Sequence, residues 1–182
     1  MNGRLFLSIR VAAAAMLVAG AAIAAEVNGD SFRITLPVQF GEPVKTSATK
    51  DNIETTTWVS KAGQTGEAMV VSVSKMPAKV VDTAKLLDST RDSLLKSVNG
   101  TIENEQNVPG DAPARNLTFR SGAAFLRARL AISGDRLYDV LYVGRSEDQR
   151  ALPSIGQIFD SFQIAAPPAA QPTAAPAPAP TH

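Results

Sequence analysis

The sequence has 182 residues, of which 45% are hydrophobic and 19% charged, a composition typical of a folded globular protein. It contains no cysteine, and its one histidine, His182, is the last residue, so catalytic triads and zinc sites that need a fixed imidazole or thiolate are excluded. The net charge of +1 provides no broad electrostatic attraction for nucleic acid, and we expect none as a partner.

The N-terminal segment has the pattern of a cleaved export signal. Arg4 and Arg10 precede an apolar run over residues 11–22, and small residues follow at the positions that a signal peptidase reads. The run is much shorter than the roughly 20 residues that span a bilayer. We therefore expect cleavage after Ala24 or Ala25 and no membrane insertion of the mature protein. Loss of the two arginines would leave 16 basic residues against 17 acidic ones.

The first half of the mature sequence alternates between apolar and polar residues in short segments. This period predicts a strand over residues 31–37. Segments 55–61 and 67–75 are rich in β-branched residues and flank a turn at 63–66 that contains two glycines, which predicts a hairpin.

A helix is predicted over residues 82–98, where apolar residues recur at helical spacing. Asp82 is a suitable N-cap, and Gly100 stands just past the expected end. The polar segment 101–107 that follows is at best an edge strand.

Three consecutive antiparallel strands are predicted over 111–120, 123–133 and 136–144. Two-residue turns at Ser121-Gly122 and Gly134-Asp135 join them, and glycine suits the positive φ that such turns require.

A capping-box pattern beginning at Ser146 then opens a helical stretch, which Pro153 interrupts. The sequence therefore predicts a signal over 1–25, one domain over 26–164, and a tail over 165–182. The tail holds eight alanines and six prolines, and we expect it to be extended and disordered. The order of elements predicts an α+β domain, with helices packed on an antiparallel sheet.

This order resembles that of the PsbP-like family of small exported proteins. The resemblance is carried by the FRITLP strand, the TTTWVSK/EAMVVSVSK hairpin, the central helix, the RLYDVLYVGR strand and a closing helix that ends in FDSF. It covers most of residues 30–163. It implies an α/β/α sandwich and a non-enzymatic, partner-associated protein, without implying a particular partner.

Motifs for catalysis are weak. Ser72 and Lys75, and again Ser93 and Lys96, have the spacing of a lysine-activated serine, but the companion motifs of such enzymes are missing. Surface residues at chance spacing explain both pairs. We expect no catalytic residue, no metal site and no cofactor.

Alternation along the three central strands predicts which side chains share a face. Arg115 and Asp139 fall on one face, separated by a strand that bears Ala128, and we expect them either to meet as a buried ion pair or to flank a solvent-filled gap. The alternative is a bulge that turns Asp139 outward. Their predicted neighbours on this face are Leu117, Phe119, Leu126, Leu130, Ile132, Leu137, Leu141 and Val143.

The opposite face of these strands carries the candidate binding site. Arginine and tyrosine are enriched where proteins recognise partners or anionic groups. The pairing predicts that Arg127 lies beside Tyr142, and Arg129 beside Val140. The alternative is that a helix covers this face and the arginine stems pack beneath it. The candidate binding residues are Arg120, Arg127, Arg129, Tyr138 and Tyr142.

These observations together favour an exported accessory protein, periplasmic or secreted, that binds a protein or envelope component. The alternative function is a small-ligand carrier, with an apolar or anionic molecule held on the sheet or in a gap between helix and sheet. The sequence leaves the oligomeric state open.

Overall fold

A computed structural model describes residues 25–63 and 65–165. The predicted signal, apart from Ala25, and the tail from residue 166 onward lie outside this range. The elements in chain order are β1 (Ala25–Gly29), β2 (Phe32–Leu36), β3 (Val44–Lys50), β4 (Ile53–Lys61), β5 (Ala68–Lys75), α1 (Thr83–Ser97), β6 (Thr101–Val108), β7 (Ala114–Ser121), β8 (Ala124–Ser133), β9 (Arg136–Gly144), α2 (Glu147–Ala151), α3 (Pro153–Ser161) and β10 (Gln163–Ile164).

Seven strands form one antiparallel sheet in the order β3-β4-β5-β9-β8-β7-β6. Hairpins join neighbouring strands except where the chain leaves β5, passes through α1 and enters the far edge of the sheet as β6. Strands β7, β8 and β9 then return until β9 pairs with β5. A second sheet, in the order β1-β2-β10, completes the α+β fold that was predicted.

The hydrophobic core has two parts, one on each face of the large sheet. On one face, α1 contributes Leu87 to a layer formed by apolar residues of β7 and β8 together with Leu137, Leu141 and Val143 of β9. On the other face, α3 and the small sheet cover Trp58, Val71 and Val140, with Ile155 and Phe159 of α3 fully buried. The apolar set predicted from alternation is the one that faces α1.

Helix α1 confirms the sequence prediction and corrects its C-terminal detail. The Asp82 side chain accepts a hydrogen bond of 2.9 Å from the Lys85 amide, as an N-cap does. At the other end, Asn99 adopts the positive φ of 50°, and Gly100 does not. Gly100 matters for space, since a Cβ there would stand 3.2 Å from the Phe119 ring.

The turn between β7 and β8 lies one residue later than predicted. Ser121 pairs with Ala124, so the two loop residues are Gly122 and Ala123, with Gly122 at φ 56°. Gly134 opens the next turn as predicted, with φ 63°. The pairing of β8 with β9 is unaffected, and the predicted faces of these strands are correct.

Strands β1, β3 and β10 were not predicted. Every residue of β3 is exposed, so no buried alternation marks it in the sequence. It forms because it pairs with β4 along its whole length across a turn in which Asp51 and Asn52 have φ values of 51° and 61°. Both residue types tolerate this left-handed conformation better than most.

Candidate functional site

The arginine–tyrosine face has the predicted register but is not open. Arg127 lies directly opposite Tyr142 and Arg129 opposite Val140. Tyr138 and Tyr142 are, however, only 1% and 0% exposed, because α3 and the small sheet cover them. The Tyr138 ring packs edge-on against Phe32 and Phe162 at centroid distances of 6.5 and 5.9 Å.

Arg127 and Arg129 attach α3 to the sheet. Their guanidinium carbons lie 4.6 and 5.9 Å from the centre of the Phe159 ring. Arg129 also donates a hydrogen bond of 2.9 Å to Asn116 Oδ1 and another to the carbonyl of Phe159. Burial lowers the pKa of both guanidinium groups from the ordinary arginine value. The face thus has the covered arrangement given above as the alternative, and a binding role for these residues stays a prediction that would require α3 to move.

Arg120, the remaining predicted binding residue, lies apart at the end of the sheet. It pairs with Glu103 and, at 3.4 Å, with Glu147, while its guanidinium carbon lies 4.4 Å from the centre of the Phe125 ring. Arg150 also pairs with Glu103, and the two arginines lower the pKa of that carboxyl, Arg150 more strongly. Arg120 therefore belongs to a surface ion-pair cluster and not to the covered face.

Of the two arrangements expected for Arg115 and Asp139, the buried ion pair does not form. Leu130 of β8 is the register partner of both residues, so its side chain stands between them where Ala128 was expected. Arg115 instead binds Asp88 of α1 and Glu105 of β6, the latter at 2.8 Å.

Asp139 is consequently left without a charged partner. No hydrogen bond reaches its Oδ1 atom from the described residues, although that atom is shielded from solvent. Burial raises the pKa of the Asp139 carboxyl to about 7, because removal from water disfavours the charged form. An unpartnered buried carboxylate oxygen is costly, which makes its surroundings a candidate site.

Asp139 lines a groove of about 340 Å³ between α1 and the strands β5 and β9. We call this the Asp139 groove. Apart from Asp139, the groove is lined by serine, threonine and leucine side chains. Its lining residues are Ser72, Ser74, Thr90, Ser93, Leu94, Ser97, Leu137 and Asp139.

The hydroxyl groups of the groove are held in place by their neighbours. Ser72 Oγ lies 3.0 Å from Thr57 Oγ1, and Ser74 Oγ lies 2.9 Å from Thr55 Oγ1. Ser97 donates its proton to the Leu94 carbonyl at 2.7 Å. A hydroxyl that donates in this way keeps free acceptor lone pairs.

Beyond the groove, the same side of the sheet is uncovered over β3, β4 and β5. Side chains of β4 and β5 on this side are half-buried and those of β3 exposed, with Val44 at 66%. The uncharged residues lie between Lys50 and Lys61 at the margins. We call this surface the Ser/Thr face; it adjoins the Asp139 groove at Ser72 and Ser74 and consists of Val44, Thr46, Ala48, Thr55, Thr57, Val59 and Val70.

Sequence reasoning had singled out two of the groove residues for another reason. Ser72 and Ser93 belong to the serine–lysine pairs, and both line the groove. Lys75 points to the opposite side of β5 from Ser72, where it lines a different cavity, and Lys96 does not line the groove. The signal that could have found the site is the acid Asp139 in an otherwise apolar, alternating strand.

Residues 25–63 and 65–165 hold neither a metal-binding cluster nor a membrane-spanning helix. No group of three acidic, histidine or cysteine residues there is placed to hold a metal ion. None of the helices there is long and apolar enough to cross a membrane.

Comparison with known proteins bears on the fold. The sequence matches no family model and no curated protein. The structure is similar to the solution structure of cyanobacterial PsbP, CyanoP, from Synechocystis sp. PCC 6803. The TM-score is 0.58 at 13% sequence identity, and the match covers 81% of this chain and 95% of that one. A structural match at so low a sequence identity is evidence for the fold alone. At the level of the fold the expected resemblance is confirmed, and the chain has a PsbP-like fold.

Proposed function

We propose that this chain is an exported accessory protein, periplasmic or secreted, that binds a partner protein and performs no chemistry of its own. Export is supported by the signal-like N-terminal segment. A non-catalytic role is supported by the lack of cysteine and by a single histidine at the last position.

The observation that carries the proposal is the Ser/Thr face. None of the described elements covers it, although α1 covers the other half of the same side of the sheet. Valine and threonine side chains on a flat sheet offer apolar contact together with hydroxyl groups for hydrogen bonding. Burying such a surface against a partner requires little desolvation of charge, which is typical of the centre of a protein interface.

A pair of matched variants on one strand tests this. Thr46 and Thr49 are both exposed on β3, but their side chains point to opposite sides of the sheet, with only Thr46 on the Ser/Thr face. In a pull-down from extract of the native host, Thr46→Lys should lose a partner that the unchanged protein retains, and Thr49→Lys should keep it. Equal recovery by both variants would contradict the proposed surface.

The export part has a separate test. N-terminal sequencing of the mature protein should begin at Ala25 or Glu26. Recovery of an intact Met1 terminus from a membrane fraction would contradict it.

The second candidate function, a small-ligand carrier, is favoured by the Asp139 groove. Native mass spectrometry of protein purified from its own host should then show a retained small molecule, whereas a co-purifying chain favours the accessory role.

A further inference from the structure

We infer that the Asp139 groove binds a primary ammonium group, supplied either by a lysine side chain of the partner or by a free amine. The inference rests on the proposed function, because the first source belongs to a partner protein and the second to a carried ligand. It depends on the charge, the hydrogen-bonding capacity and the shape of the groove.

The groove carries a negative charge when Asp139 is ionised. Asp139 is the one ionisable residue among the lining side chains. Lys75 and Arg136 are register partners on β5 and β9, but their side chains point to the opposite side of the sheet from the groove. The charged groups of α1 that approach the sheet, Asp88 and Arg91, are engaged with Arg115 and Glu105. A cationic ligand would compensate Asp139, whereas an anionic molecule, one of the two ligand types considered from the sequence, would be repelled.

Several groups of the groove can accept hydrogen bonds. The Ser97 proton is already donated to the helix, and Ser72 and Ser74 each make one hydrogen bond to a threonine of β4, which leaves lone pairs on all three hydroxyl oxygens. When the Asp139 carboxylate is ionised, it can accept hydrogen bonds but cannot donate one. An ammonium group has three N–H donors and no acceptor, so it fits one carboxylate oxygen and two hydroxyl oxygens.

The shape suits an alkyl chain that carries the charge at its end. Leu94 of α1 and Leu137 of β9 provide apolar contact inside the groove. A volume of about 340 Å³ accommodates an ammonium group together with several methylene groups. Lysine side chains bury their methylene stems in this way while the charged end finds polar partners.

Butylammonium chloride is the first probe, with the assigned methyl signals of Leu94 and Leu137 followed by NMR in the full mature chain at pH 8. We expect saturable shifts of both residues in the unchanged protein. Asp139→Asn should weaken binding by about tenfold or more, because a charge-assisted hydrogen bond is lost while the side-chain shape is kept. Asp111→Asn removes an equal charge from an exposed loop position and should bind as the unchanged protein does.

Two further probes separate ammonium recognition from weaker explanations. Tetramethylammonium carries the charge without N–H donors, and N-butylacetamide carries the alkyl chain without the charge. Neither should shift the two leucines comparably at equal concentration. Equal shifts from either probe, or unchanged butylammonium binding by Asp139→Asn, would overturn the inference and leave the groove as a water-filled gap.

A last probe distinguishes the two sources of the ammonium group. Nα-acetyl-lysine methylamide should bind at least as tightly as butylammonium if the partner supplies a lysine, and more weakly if the natural ligand is a free amine. Failure of the proposed function is separately visible, since Thr46→Lys and Thr49→Lys would then retain the partner equally while amine binding persisted. If the unchanged protein does not bind the amine probes but Thr46→Lys still loses the partner, the ammonium site alone is rejected.

Discussion

Asp139 is a carboxylic acid in a position that alternation assigns to the interior, and this has a consequence for stability. The carboxyl pKa of about 7 in the folded chain compares with an ordinary value of about 3.9 in the unfolded chain. Between these values the folded protein holds a proton that the unfolded protein has released. The contribution of this group to stability therefore falls as the pH rises from about 4 to about 7, and is constant above that range.

Asp139→Asn should remove this dependence. At pH 8 the variant should be more stable than the unchanged protein by up to about 4 kcal/mol, at about 1.4 kcal/mol per unit of pKa, and by less to the extent that the groove admits water. Below pH 4 the two free energies of unfolding should converge. Urea unfolding at several pH values measures the difference, and a constant difference across this range would contradict the assignment.

A second buried acid, Glu67, is satisfied by a tyrosine. Tyr142 donates a hydrogen bond of 2.5 Å to Glu67 Oε1, and both residues are buried. Burial, followed by the interactions with Glu67, raises the pKa of the Tyr142 hydroxyl above its ordinary value. The phenol therefore remains a donor at any physiological pH.

Tyr142→Phe should lower the free energy of unfolding by about 1 to 3 kcal/mol, because it leaves the Glu67 carboxyl buried without this donor. Tyr138→Phe is the matched control. Its hydroxyl makes one long hydrogen bond of 3.4 Å to the Ser31 carbonyl, so the loss should be smaller. Equal losses in chemical denaturation would show that the Glu67 contact contributes nothing specific.

At the scale of elements, α3 depends on two arginines of the sheet that it covers. Arg127→Ala/Arg129→Ala removes the contacts of both guanidinium groups with Phe159 and the hydrogen bonds of Arg129. We expect the free energy of unfolding to fall by about 2 to 4 kcal/mol. A cation–π contact contributes about 0.5 to 2 kcal/mol, and a hydrogen bond from a charged group contributes more. Arg120→Ala, at the exposed ion-pair cluster, should lose less than about 1 kcal/mol. A melting temperature unchanged in the double variant would mean that α3 is held by its apolar residues alone.

The elements that were predictable from the sequence are those with one buried face. Strand β2 alternates between buried and less buried residues along its whole length, β8 does so over residues 125–130 and β9 over residues 137–144, and α1 has a capped start. Strand β3 was missed because an exposed edge strand needs no apolar pattern. Pairing with β4, and not its own composition, determines its conformation.

The strand register at the candidate site was predictable from the sequence, but the elements that cover each face of the strands were not. Alternation correctly placed Arg127 beside Tyr142, yet both faces of the central strands are rich in apolar or long side chains, so the pattern did not reveal which was covered. The expected pairing of Arg115 with Asp139 fails because the side chain of Leu130 stands between them. The Asp139 groove arises from where α1 crosses the sheet, a tertiary relationship that local patterns do not encode.

In the molecule as a whole, the large sheet is covered on part of one side by α1 and on the other side by α3 and the small sheet. Strand β10 joins the small sheet through Gln163, whose Oε1 accepts a hydrogen bond of 2.8 Å from Arg33 Nε. The Ala165 amide then donates to the Ser31 carbonyl at 2.8 Å.

Truncation after Ala166 should therefore change the melting temperature very little, since it keeps all of these contacts. Truncation after Phe162 should lower it clearly, because β10 is lost. Differential scanning calorimetry compares the two. A loss above about 1 kcal/mol from the shorter deletion would show that the tail docks on the domain.

The crossover from β5 through α1 to the far edge also determines which strand pair of the large sheet joins residues that are farthest apart in the sequence. Strands β6 to β9 are joined by short connections, as are β3 to β5, so each set can form from local contacts. The two sets meet only along β5 and β9, whose partners from Lys75–Arg136 to Ala68–Val143 are 61 to 75 positions apart. Closing so long a loop costs more conformational entropy than closing a hairpin, and such non-local pairing slows folding. The seam between β5 and β9 is thus expected to be the last part of the sheet to form, and its formation completes the Asp139 groove.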